Sequence, residues 1–118
     1  MRKEKSLKVK WDEIIKILSN KFNDGENLDI EAIIYLIGLQ ELGRINSKFR
    51  KDQKIDLMHI AICRLLEPYG YYQFNYMDKD GWPHYKVLTK LPNLKSGEQT
   101  LLMKEAIINY FSQKQLIQ

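Results

Sequence analysis

Apolar residues return at every third or fourth position along most of the chain, and this period predicts a mainly α-helical protein. Leu7, Trp11, Ile14, Ile15, Leu18 and Phe22 mark one face of a first helix over residues 7–22, which Asn23-Asp24-Gly25 ends with turn chemistry. A second helix is expected over about 30–42, with Asp29 as N-cap, Leu28 stapled onto Ile33 and Gly43 as the C′ residue. Its Ile30, Ala32, Ile33, Ile34, Tyr35, Leu36, Ile37 and Leu39 cover nearly the whole circumference. A helix apolar all round belongs at the centre of a domain or across a dimer interface, and a small helical domain needs one such central element. After a basic loop over 44–52, a third helix is expected from about Gln53 to Glu67, capped by Asp52. Its inward face reads Ile55, Met58, Ile62, Leu65 and Leu66, Pro68 stops it, and Gly70 turns the chain.

The period then changes. Tyr72, Phe74 and Tyr76 alternate with Gln73, Asn75 and Met77, which is strand-like, and Asp78-Lys79-Asp80-Gly81 is a turn. The return segment reads two ways. Residues 84–90 can be the second strand of a hairpin, or Asp80 can cap a short helix with Pro83 in its first turn. Trp82, Tyr85, Leu88 and Leu91 step by three along one side, and that coherence favours the helix. Pro92-Asn93 is a break. The last helix is expected from Ser96, where Ser96-Gly97-Glu98-Gln99 matches a capping box. Leu102, Met103, Ala106, Ile107, Tyr110 and Phe111 give it a broad apolar stripe, and the chain after Gln113 is expected to fray. The fold class that follows is mainly α: a single compact domain over residues 1–118, of four to five helices, with room for one short β-hairpin around residues 71–88. Residues 1–6 read as a basic tail and 114–118 as a frayed one.

Composition agrees with a folded chain. It is 44% hydrophobic and 29% charged over 118 residues, the size of one domain. The net charge of +4 is uneven: residues 1–10 contribute +4, residues 44–54 another +4, and the remainder −4. Two basic segments on an acidic body suit phosphates or an acidic partner, although charge specifies function weakly and a solvated tail and loop is the favoured reading. One cysteine excludes an intrachain disulfide and suits a reducing cytoplasm. Charges interrupt every apolar stretch where a signal peptide needs its core, and the longest apolar run, Ala32–Leu39, has eight residues, far short of the roughly 18 of a membrane span.

Little in the chain names a reaction. His59 and Cys63, four apart on one helix face, have a spacing that metal sites use, with His84 as a third ligand and Asp78 or Asp80 as a fourth. Cys63 lies among Ile60, Ile62, Leu65 and Leu66, however, and this favours a buried thiol beside a hydrogen-bonded histidine over a metal site. A Cys–His nucleophile and base lacks any local signature. Glu67, Asp78 and Asp80 can supply paired carboxylates, but turns and caps need the same residues. The segment from Asp78 opens like a calcium loop and fails it, with glycine at the fourth position and Thr89 at the twelfth. No glycine-rich phosphate loop is present, and no cofactor is implied.

The strongest lead is aromatic. Seven of thirteen aromatic residues fall between Tyr69 and Tyr85. Exposed Tyr and Trp dominate binding hot spots, so Tyr71, Tyr72, Tyr76, Trp82 and His84 are the candidate contact residues of a non-enzymatic interaction module whose partner is another protein or a second copy of the chain. The alternative is nucleic-acid binding through Arg44, Lys48, Arg50 and Lys51 with the basic N-terminus. A helix–turn–helix does not fit, because the central helices are separated by roughly nine residues where the motif expects three or four. An enzyme or metal site around His59, Cys63 and His84 comes third.

Leu66-Glu-Pro-Tyr-Gly-Tyr-Tyr-Gln-Phe74, followed by Asp80-Gly-Trp-Pro-His-Tyr85, resembles short uncharacterised bacterial proteins of about this length, over about Asp29 to Phe111. The resemblance implies a stand-alone cytoplasmic protein and brings no activity, cofactor or partner with it.

Overall fold

The computed structural model describes residues 6–44 and 48–114. The fold is mainly α with one short hairpin: α1 (Leu7–Phe22), α2 (Ile30–Leu42), α3 (Lys51–Leu66), a 3₁₀ turn (Glu67–Tyr69), β1 (Tyr72–Met77), β2 (Pro83–Val87) and α4 (Ser96–Gln113). It falls into two compact units, Met1–Ile30 with Lys95–Gln118, and Glu31–Leu94. No helix among the described residues is long and apolar enough to cross a membrane. Of the two expected tails, only Ser6 and Lys114 lie within the described residues.

In the first unit α1 packs on α4. The helical period put Ile14 and Leu18 of α1 inward, and both are buried, as are Ala106, Ile107, Tyr110 and Phe111 of α4. Ile108 joins them, whereas Phe22, expected inward, is 40% exposed at the last turn. Ser6, assigned to the tail, is the N-cap of α1: its hydroxyl accepts the Val9 N–H at 3.2 Å. The turn after α1 is tied back through Ser19. Its carbonyl accepts the N–H groups of Asn23 and Gly25, and its buried hydroxyl accepts the Leu28 N–H at 3.1 Å. The last helix starts at Ser96 as expected, but Ser96 is not its cap. Glu98 accepts the Lys95 N–H at 3.2 Å, so the closing half of the capping box marks Lys95 as N-cap.

In the second unit α2 is buried nearly all round. Ile33, Ile34, Ile37, Gly38 and Leu39 are buried, and only Glu31 and Gln40 of the helix are exposed. Gly43 ends it in the left-handed conformation (φ 75°), with Arg44 N–H donating to Leu39 and Gly43 N–H to Gln40, a Schellman closure. α3 begins two residues before the expected start. Gln53 accepts the Arg50 N–H at 3.0 Å and makes Arg50 the N-cap, so Asp52 lies in the first turn and not at the cap. Leu65 and Leu66 of α3 are buried as expected, but the rest of its inward face differs: Leu57, Ile60, Ala61 and Cys63 are buried, while Ile55 is 62% exposed and Met58 and Ile62 are half-buried. Apolar residues occur almost all round this helix, so periodicity alone could not choose its face. The choice is made at Gly38, whose backbone lies against Leu57.

Pro68 and Gly70 (φ 85°) end α3 as expected. The segment expected to step as a helix from Trp82 to Leu91 instead returns as β2, antiparallel to β1. The physical reason lies in the turn: Gly81 takes φ 85°, and Asp78 and Trp82 pair backbone to backbone, which commits the chain to a hairpin before Pro83. A stepping of four apolar positions is too short to compete with that closure.

Candidate functional site

The hairpin tip is built around Asp78. One carboxylate oxygen accepts the N–H groups of Asp80 at 2.9 Å and Trp82 at 3.0 Å, an Asx-type closure of the turn. The other lies 2.9 Å from His84 Nε2 across the strands. The His84 contact first, then the Trp82 N–H, holds the Asp78 carboxyl below the ordinary carboxylate range.

The register places the rings. Phe74 pairs with Tyr85 and Tyr76 with His84, so Asn75 is the extra residue of a β-bulge. Cross-strand partners share a face and neighbours on one strand alternate. Phe74 therefore joins Tyr85, edge to face at 5.9 Å, while Tyr76 joins His84 on the other face. The Tyr76 and His84 rings are stacked at 4.6 Å with planes 2° apart. The even alternation expected for Tyr72, Phe74 and Tyr76 is thus broken by one residue. A shared register cannot be read from one strand alone, because the bulge depends on what lies opposite.

Between the start of α3 and the hairpin lies an open groove of about 480 Å³. Arg50, Asp52, Asp56 and His59 line one wall, and Asp78, Asp80, Trp82 and His84 the other. Four carboxylates thus face one guanidinium, itself bound to Asp52 at 3.3 Å, which holds the Asp52 carboxyl below its ordinary range. The groove is acidic although the chain is basic overall.

Of the five expected contact residues, two are exposed: Tyr76 at 51%, and His84. The other three are half-buried. Tyr72 meets His59 edge-on at 6.4 Å, Trp82 meets Phe49 edge-on at 6.0 Å, and the Tyr71 carbonyl accepts the Leu88 N–H at 2.9 Å. Four further apolar residues are exposed on the hairpin or directly after it and are not among the candidates: Phe74 at 44%, Met77 at 55%, Val87 at 65% and Leu88 at 51%. Phe74 and Met77 stand in the sequence only as alternating strand positions, and Leu88 as one step of a helix that does not form. The strand edges are blunted. Glu67 accepts the outward Phe74 N–H of β1 at 2.9 Å, and Pro83 of β2 has no N–H to offer.

The other candidates separate. Cys63 is buried 3.5 Å from His59 Nε2, as expected, and burial pushes its thiol up to about 11, far from a reactive thiolate. His59 and His84 both reach the groove but Cys63 is not on its wall, and no three His, Cys, Asp or Glu groups among the described residues converge to hold a metal ion. In the basic segment, Arg44 donates to the Asp80 carbonyl at 3.0 Å and Arg50 to Asp52, while Lys48 and Lys51 are exposed. The basic N-terminal residues Arg2, Lys3 and Lys5 lie outside the described residues.

No family model matches the chain, and neither a curated protein nor a solved structure matches it.

Proposed function

We propose that this chain is a small cytoplasmic, non-enzymatic interaction module that meets a protein partner through the side chains of its hairpin. The observation that carries this reading is the exposure of Phe74, Tyr76, Met77 and Val87 on the hairpin, with Leu88 directly after it. A hairpin that served only the fold would present polar residues at these positions, since water disfavours exposed apolar area. The blunted edges favour recognition by side chains over addition of a strand. Two further features support a non-enzymatic role: the thiol is held protonated, and the Asp78 carboxylate at the tip is engaged in closing the turn.

The test compares the native chain with Phe74→Ser/Val87→Lys, chosen because neither side chain is buried. Sedimentation at increasing concentration examines a second copy as partner, and affinity capture followed by mass spectrometry examines other proteins. A self-association or a specific captured protein that the double variant loses, at unchanged thermal stability, is the expected result. Retention of every partner by the variant overturns the reading. Binding to single-stranded nucleic acid that collapses with added salt, and is lost in Lys48→Glu/Lys51→Glu, transfers the assignment to the basic segment.

A further inference from the structure

His84 is joined to both strands and to the turn between them. Its Nε2 meets Asp78 at the end of β1, its ring covers Tyr76 of the same strand, and Asp78 in turn holds the N–H groups of Asp80 and Trp82. The Asn75 bulge is what brings Tyr76 under the imidazole. We propose that Tyr76, His84 and Asp78 form a proton-operated latch that tightens the hairpin tip when His84 is charged and relaxes it when His84 is neutral. The proposal is independent of the interaction reading.

Both contacts respond to charge in the same direction. An imidazolium makes the bond to Asp78 charge-assisted, and it turns the stack on Tyr76 into a cation–π contact. A neutral ring spends part of its time in the tautomer whose Nε2 carries a lone pair, which the carboxylate repels. Histidine is the side chain whose charge ordinarily changes between about pH 5 and 8.

The charged and titratable groups around the imidazole come from α3 and from the hairpin itself. The start of α3 contributes Arg50, Asp52, Asp56 and His59 to the same groove, and the hairpin contributes Asp80 and Tyr85. Lys86 lies two residues along β2 on the His84 face. Burial holds the Tyr85 phenol up at about 12, and Asp78 and Asp52 are held in their charged forms by their partners. His59 is engaged elsewhere, with Cys63 and the edge of Tyr72, and so provides a control on the same groove.

The latch has an output. Two ties run from the tip to the connector between α2 and α3: Arg44 Nη2 to the Asp80 carbonyl at 3.0 Å, and Phe49 edge-on to Trp82. A tip that loosens slackens both ties, at Arg44 and at Phe49, the neighbour of Lys48.

NMR of the full chain between about pH 5 and 8 tests this. Trp82 and Asp80 amide exchange, corrected for the intrinsic effect of pH, is expected to accelerate several-fold as pH rises. The acceleration should persist in His59→Gln, shrink in Tyr76→Leu and vanish in His84→Gln. An equal acceleration in His84→Gln, or none in the native chain, overturns the proposal. The native chain alone supplies a second measure. The His84 ring resonances and the Trp82 amide shift should titrate with one midpoint, and distinct midpoints reject the latch even where His84→Gln fails to form the hairpin.

Discussion

The backbone of Gly38 in α2 lies directly against the carbonyl of Leu57 in α3, and a β-carbon at residue 38 would overlap that carbonyl. The obstacle is backbone, not a flexible side chain, so it cannot swing away. Gly38→Ala must push the helices apart. It is expected to destabilise the chain by about 1–3 kcal/mol, the range of overpacked cores, despite the better helix propensity of alanine. Urea denaturation of the two proteins measures it, and an unchanged midpoint would show that the helices separate without cost.

Asp78 should make the hairpin acid-sensitive. Its carboxyl is held below the ordinary range by His84 first and the Trp82 N–H next. A depressed folded value means that the unfolded chain binds the proton more tightly. The stabilisation is therefore present above the unfolded value, about 3.9, and is lost as pH falls through the lower folded one. Asp78→Asn is expected to loosen the tip at neutral pH and to flatten this acid limb, read from Trp82 amide protection. A limb of unchanged depth would place the acid-sensitive group elsewhere.

Cys63 and Tyr85 predict the opposite limb. Burial raises the thiol from about 9 to about 11 and the phenol from about 10 to about 12. Both groups are neutral below their unfolded values, so their stabilisation is complete there. Above about 9 the unfolded chain releases protons that the folded chain keeps, and stability is lost as pH rises through the folded values. Tyr85→Phe should remove the upper part of this loss, as seen in denaturation midpoints between about pH 9 and 12. The same burial predicts that Cys63 reacts with iodoacetamide only as fast as the chain unfolds. Rapid alkylation of the native protein would contradict it.

The edge-on pair of Phe49 and Trp82 joins the α2–α3 connector to the hairpin. Such pairs contribute about 0.5–1.5 kcal/mol beyond the area they bury. A double-mutant cycle of Phe49→Leu and Trp82→Leu is expected to give a coupling energy in that range. Additive effects would mean that the ring pair does not tie the connector to the hairpin.

The features legible in the sequence are those decided over a few residues. Helical period placed α1 to its observed ends, and Gly43 and Asn23-Asp24-Gly25 foretold the turns that follow α1 and α2. The caps of α3 and α4 were misplaced by one or two residues because several polar residues compete near each start, and only the acceptor that reaches back, Gln53 or Glu98, identifies the cap. The candidate site was half legible. The aromatic segment was recognised as unusual, and Tyr76 and His84 were named, but Phe74, Met77, Val87 and Leu88 were not.

What the sequence by itself determined, then, is local: where backbone torsion is pinned by glycine, proline or a capping side chain, and where apolar residues repeat in phase with a helix. These depend on neighbours within four or five positions, which the order of residues specifies directly. The tertiary structure decided which of several apolar faces of α3 is covered, and that a bulge at Asn75 moves Tyr76 from the face of Phe74 to that of His84. Each of these is a choice between local alternatives of nearly equal energy. It is made by a partner distant in sequence, the Leu57 carbonyl against Gly38 or His84 across from Tyr76, and no pattern within one segment contains that partner.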